Sequence, residues 1–236
     1  KELIIFAIPM ILGNLFQQFY NIADSVIVGK FLGPDALAAV GASNSITTLF
    51  VMVAIGTGIG CSVIISQLFG AGRMKDVKSS ISTALIAIFA FSLILSTIGF
   101  MLSGNILKWM HTPSDVYEEA DKYLKIYFLG FAFLFMYNAF NAVFNALGDS
   151  AKPLVFLIFS SVLNIGLDIL FVWKFGWGVA GAAWATLIAQ AVSAIISFIV
   201  LIHKIRGMQC ERYDRFSPGL LKKMVSIAIP TVIQQS

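Results

Sequence analysis

Asp24 and Asp168 are the only carboxylates inside the long apolar stretches of this chain, and each has amides spaced to share its helical face. Asn14, Gln17, Asn21 and Asp24 fall at i, i+3, i+7 and i+10, an arc of about 80° on a helix turning 100° per residue. Asn164 and Asp168 stand four apart, so that amide and carboxyl project from adjacent turns. An acid near the middle of a membrane helix costs roughly 2.5–3.5 kcal/mol on insertion scales and normally faces a protein interior or a wet cavity. Carboxylate and amide oxygens grouped in this way can hold a proton or a small cation, which points to ion-coupled transport. The alternative is that the same groups only hydrogen-bond helices to one another.

The elements that carry these residues follow from composition. Of the 236 residues 58% are hydrophobic and 12% charged, with a mean hydropathy of +0.89, far from the roughly 25% charged content of a soluble domain. This is an integral membrane protein. Runs free of charge cover 36–72, 79–107, 126–148 and 175–202, and 3–29 and 153–173 would join them but for the two acids. Each supplies the roughly 20 apolar residues that cross a hydrocarbon core. Six complete spans are predicted, at 3–28, 44–69, 80–106, 126–147, 153–173 and 181–202, and a seventh starts near Met224 and is cut at Ser236, as in a fragment of a longer protein. The 36–72 run exceeds one span, so its first part is expected to be an interfacial or extended helical segment. No cleavable signal peptide is evident.

With a cytoplasmic N-terminus, eleven Lys and Arg residues fall in inside segments and five in outside ones, the orientation that the positive-inside rule favours. The basic excess therefore reports insertion and contact with anionic lipid, and no nucleic-acid partner is implied. The 108–125 loop, acidic through Asp115, Glu118, Glu119 and Asp121 and broken by Pro113, reads as a solvated loop with a short amphipathic helix. Cys61 and Cys210 are far apart and indicate neither a disulfide framework nor a metal site, and His111 and His203 sit at span edges as solvated or interfacial groups.

KKMVSIAIPTVIQQ from Lys222 aligns without gaps on KELIIFAIPMILGN from Lys1, an offset of 221 residues, with Ala7/Ala228, Ile8/Ile229 and Pro9/Pro230 identical. Six spans lie between the copies, so both enter the membrane in the same direction, as in parallel repeats about an axis along the membrane normal. The expected organisation is an all-α polytopic membrane protein: a six-helix lobe at 1–203, a basic cytoplasmic linker at 204–221, and at 222–236 the start of a second lobe in a two-lobe, twelve-helix transporter. Pro9 either kinks the first helix or punctuates its first turn. Pro153 opens its span, and Gly56, Gly58 and Gly60 permit close helix packing. Further polar stripes, Asn138, Asn141 and Asn145 on the fourth span and Thr186, Gln190, Ser193 and Ser197 on the sixth, could complete a hydrated chamber with spans one and five. The 21 phenylalanines are enough to help wall it, although most are expected to face lipid or pack the bundle. No Ser/His/Asp constellation, nucleotide loop or HExxH pattern is present, so no enzyme chemistry is indicated.

Several segments together resemble the multidrug and toxic compound extrusion (MATE) family, particularly its DinF-like branch: Pro9 with Asn21-Ile-Ala-Asp24, Val28-Gly29, Ala36-Leu37-Ala38-Ala39-Val40-Gly41, Ser66-Gln67-Leu68-Phe69-Gly70-Ala71-Gly72, Asn145-Ala146-Leu147-Gly148-Asp149 and Asn164-Ile165-Gly166-Leu167-Asp168. The resemblance implies a cation site made by Asp24, Asn164, Asp168 and Thr186 that takes H⁺ or Na⁺, with no other cofactor. It implies a multi-pass protein of the prokaryotic plasma (inner) membrane, exporting organic cations or amphipathic compounds through two rocking lobes. Within such a site burial and mutual repulsion penalise two charges, and a proton or sodium ion removes that penalty. The rival functions are a flippase for lipid-linked oligosaccharides or related lipids, which a basic cavity would favour, and a non-transporting scaffold or channel subunit.

Overall fold

A computed structural model describes residues 2–208 and 212–235, with the side chains of 2–7, 10 and 235 left aside. Lys1, Cys210 and Ser236 lie outside the described residues. Eight α-helices follow one another: α1 Glu2–Leu32, α2 Pro34–Gly70, α3 Met74–Trp109, α4 Ser114–Leu129, α5 Phe131–Ala146, α6 Ala151–Asp168, α7 Gly178–Gly207 and α8 Pro218–Gln235. The chain reverses in tight turns. Gly33, Gly72 and Gly148 take φ values of 88°, 71° and 76° in three of them, a region that only glycine enters freely.

Among the described residues four helices are long and apolar enough to cross a membrane: α2, α3, α6 with its continuation to Lys174, and α7. The pair α4 and α5, bent by 51°, makes a fifth if counted as one span. One expectation needs correction here. The fourth span is not one helix over 126–147 but two, broken at Gly130, where the missing Cβ admits Leu187 at 3.1 Å from its would-be position. In the 108–125 segment the expected amphipathic helix is present as α4, which starts at Ser114 and continues to Leu129 as the first half of this bent unit. Its acids are used in ion pairs along the helix, Lys122 with Glu118 and Glu119, and Lys125 with Asp121.

The 36–72 run forms the single 37-residue helix α2, about 55 Å long at 1.5 Å per residue. The core sits between α2, α4 and α5. Phe128, Phe131 and Phe135 are fully buried there, and Phe131 lies 4.8 Å from both Phe50 and Phe128 between ring centroids, close enough for ring-edge attraction on top of area burial. Outside this core, long apolar side chains of α3 such as Phe89, Ile94, Ile98 and Met101 stay exposed, as a lipid-facing surface requires. The glycine run of α2 receives α8. A Cβ at Gly60 would stand 2.5 Å from the Ala228 Cα, and one at Gly56 would stand 2.9 Å from the Val232 Cα. Pro9 lies inside α1 rather than at its first turn, and Pro230 likewise lies inside α8.

Candidate functional site: a tyrosine- and amide-lined chamber with two acids

α1, α2, α4, α5, α6 and α7 enclose a cavity of about 730 Å³. Pro9, Asn14, Gln17, Asn21 and Asp24 line it from α1, Asn138, Asn141 and Asn145 from α5, and Thr186 and Gln190 from α7. The stripe of α1 and the asparagine stripe of α5 thus face one space. Ser193 and Ser197 do not. They are 1% and 0% exposed and off the cavity wall, because the lower half of the α7 stripe is covered by its neighbours. Asn138 is partly spent on its own helix, its Nδ2 donating to the Leu134 carbonyl at 2.9 Å.

Asp168 ends the α-helical part of α6, and the next six residues, Ile169–Lys174, run on in π-helical turns. Such widened turns recur at functional sites. Here the widening falls directly after the carboxylate, before Gly176 and Gly178, with φ values of 66° and 61°, lead the chain into α7. Asp168 and Asn164 are 0% and 2% exposed and stand one layer behind the chamber wall, which Asp24 and Thr186 form. With the Asn164 amide turned so that its nitrogen faces the acid, Nδ2 donates to Asp168 Oδ2 at 2.7 Å. The amide oxygen then accepts from Thr186 Oγ1 at 3.2 Å and from the Thr186 backbone N–H at 3.1 Å. The carboxyls of Asp24 and Asp168 are within hydrogen-bonding reach of each other, Asp24 at the chamber wall and Asp168 directly behind it. One oxygen of each, Oδ1, is buried without a protein partner. At an effective dielectric of 20, two like charges 4 Å apart repel by about 4 kcal/mol, so the pair favours the uptake of one positive charge.

The phenylalanines expected to help wall the chamber do not do so: among the described residues Tyr20, Tyr123, Tyr127 and Tyr137 face it and no phenylalanine lines it. The Tyr20 phenol reaches Thr186. Its place, four residues before Asp24 and three after Gln17, was a readable signal. Also missed was the polar start of α2, where Asn44, Thr47 and Thr48 line the same space at i, i+3 and i+4. Among the described residues no group of three or more His, Cys, Asp or Glu side chains could hold a metal ion.

Comparison with known proteins decides the family. The MatE family model matches residues 9–170, well over half of the chain. The chain belongs to the MatE family. Among curated MatE relatives, the probable multidrug resistance protein YpnP of Bacillus subtilis (strain 168) is 33% identical over 99% of this chain and 52% of its own length. An outward-facing multidrug resistance MATE family transporter of the MOP superfamily superposes with a TM-score of 0.91 at 27% identity, covering 99% of this chain and 52% of that one. An inward-facing structure of such a transporter superposes with a TM-score of 0.82 at 26% identity, over 93% and 50%. The chain therefore spans about half the length of the MatE proteins it matches, and it is part of a multi-pass membrane transporter family rather than an enzyme family.

Proposed function

We propose that this chain is the N-terminal lobe of a DinF-like MATE antiporter, with the start of the second lobe. In this reading the antiporter exports organic cations or amphipathic compounds in exchange for H⁺ or Na⁺. The observation that carries the reading is the meeting of two carboxyls from α1 and α6, each with an unpartnered buried oxygen, at the wall of a chamber large enough for a small organic guest. Asp24, Asn164, Asp168 and Thr186 form the cation site. Asn14, Gln17, Asn21, Asn138, Asn141, Asn145 and Gln190 form the polar guest-facing wall, and the tyrosines offer π-faces to a cationic guest. Six spans belong to this lobe, with α1 counted and α4–α5 taken as one, and the N-terminus is cytoplasmic. Residues 1–203 are the lobe, 204–221 the linker, and 222–236 begin a parallel second lobe of six further helices.

Neutralising the acid pair removes a repulsion inside a dry wall, and transport follows if ion and guest prefer different states of the two lobes. The flippase reading is weaker because, among the described residues, the wall carries an acid and amides and no lysine or arginine. Flux of an organic cation into proteoliposomes holding the full-length protein, under an imposed Na⁺ or pH gradient, tests the proposal. Guest movement indifferent to both gradients would overturn it.

A further inference from the structure

The segment that joins α7 to α8 is pinned to the start of α3. Ser79 Oγ donates to the Asp214 carbonyl at 2.7 Å and Ser82 Oγ to the Arg215 carbonyl at 2.6 Å, while the Ser217 N–H donates to Thr83 Oγ1 at 3.0 Å. The Lys78 ammonium lies over the Tyr213 ring, 5.8 Å from its centroid. Three hydroxyls at i, i+3 and i+4 of α3 thus hold consecutive parts of the linker backbone. Yet residues 212–216 are all exposed, with Tyr213 at 38% and Phe216 at 44%. A charged tether between lobes would need no such clasp. Here the backbone is fixed and the side chains are presented outward.

What is presented is cationic and aromatic. Arg212, Arg215, Lys222 and Lys223 make no ion pair among the described residues, whereas Lys122 and Lys125 at the other end of the bundle are each paired with acids of their own helix. Tyr213 and Phe216 sit just before α8 enters the apolar layer, the level at which aromatic rings anchor proteins to the membrane boundary. The first turns of α3 and α8 point their positive dipole ends to the same region, and the only acid in the first turn of either, Asp76, is taken by Arg73.

The geometry points to a docking surface for anionic phospholipid at the linker: Arg212, Arg215, Lys222 and Lys223 take the phosphates, Tyr213 and Phe216 seat the headgroup level, and the Ser79/Ser82/Thr83 clasp holds the surface in shape. The inference does not depend on the transport reading, because it is read by lipid retention. Free-standing lipid recognition by polybasic juxtamembrane segments follows the same physics, each cation raising affinity about fivefold at an anionic surface.

The test uses the full-length protein in nanodiscs of phosphatidylcholine with or without phosphatidylglycerol, and native mass spectrometry of the lipids retained on release. Wild type should retain phosphatidylglycerol selectively. The variant R212Q/R215Q/K222Q/K223Q should lose that selectivity by more than about tenfold, and R212K/R215K/K222R/K223R should keep it. S79A/S82A, which spares every cation, should weaken it as the clasp opens. Equal phosphatidylglycerol retention by wild type and the glutamine variant overturns the proposal. So does displacement of the lipid by inorganic phosphate alone, which would assign the cations to a soluble anion. Should the glutamine variant fail to fold, selectivity of the wild type that is unchanged by high salt would be equally fatal, since exposed charge contacts are screened.

Discussion

Replacing Asp168 by Asn isolates the charge of the acid pair from its shape. The side chain is fully buried, and Asn has nearly the same volume. Its carbonyl can still accept from Asn164 Nδ2, now placed 2.7 Å from Asp168 Oδ2, and its new amino group would meet the Asp24 carboxyl as a donor. A repulsive contact becomes a hydrogen bond, so folding should be unchanged or improved by about 1 kcal/mol. Ion binding behaves differently. The cation loses one of its two charged ligands in a largely buried site, and a charge-assisted contact of about 3 kcal/mol corresponds to roughly a hundredfold in affinity. Uptake of an organic cation by proteoliposomes of the full-length protein should therefore lose its dependence on the imposed Na⁺ or pH gradient, with insertion and thermal unfolding preserved. Asp24→Asn should act in the same way. Full gradient-coupled transport by the Asp24→Asn, Asp168→Asn double variant would refute the reasoning and place coupling in the other lobe.

Three further outcomes are expected. Asn141→Ala removes a chamber amide whose Oδ1 is buried without a protein partner, and it should raise the half-saturating guest concentration several-fold while the gradient dependence stays intact; loss of ion dependence would contradict the separation of guest wall from ion site. Gly60→Ala drives a methyl to 2.5 Å from the Ala228 Cα and should destabilise the full-length protein by about 1–3 kcal/mol through overpacking; Gly41→Ala, with nothing within 4 Å, should be neutral or stabilising by up to about 1 kcal/mol, both read by thermal unfolding. Burial would raise the Asp149 carboxyl, but Lys152 and Lys204, each at 2.8 Å, outweigh it and hold the acid below its ordinary value of 3.8. Because the folded value is depressed, its stabilisation is fully present above the ordinary value and lost as pH falls through the lowered one, so the stability gap between wild type and Asp149→Asn should be constant from neutral pH down to about 5 and close below 3.8.

Apolar runs and two acids made the membrane class and the acid pair readable from the residues, because in lipid every uncompensated charge is costly and therefore informative, whereas the family was carried by the resemblance of the motif segments. The bend at Gly130 was not readable. Glycine is common in membrane helices, and only the packing of Leu187 against its bare Cα marks this one as a break. The π-helical turns after Asp168 leave no signal in ILFVWK, since the widening is set by how α6 meets α7. Ser193 was misplaced for a related reason: it shares a helical face with Gln190, but a face gives direction and not depth, and neighbouring helices cover its lower half. The chamber's aromatic wall is tyrosine although phenylalanine is the more numerous residue. A phenol keeps one end wet, so Tyr and not Phe is the aromatic suited to a hydrated wall.

The two acids belong to different helices, and that division bears on coupling. Asp168 is fixed from two sides, by Asn164 on its own helix and, through that amide, by Thr186 on α7. Asp24 belongs to α1, whose outward residues Ile11, Leu15, Phe19 and Ile22 are 51–68% exposed. A single buried acid could bind a cation, but it would report occupancy only to its own helix. A pair split between two helices would, on the proposed reading, turn ion binding into an attraction between elements: with the cation present α1 would be drawn to α6, and without it like charges would push the two apart. On the proposed reading, ion occupancy thereby changes the shape of the same wall that touches the guest, which is the differential affinity that exchange requires.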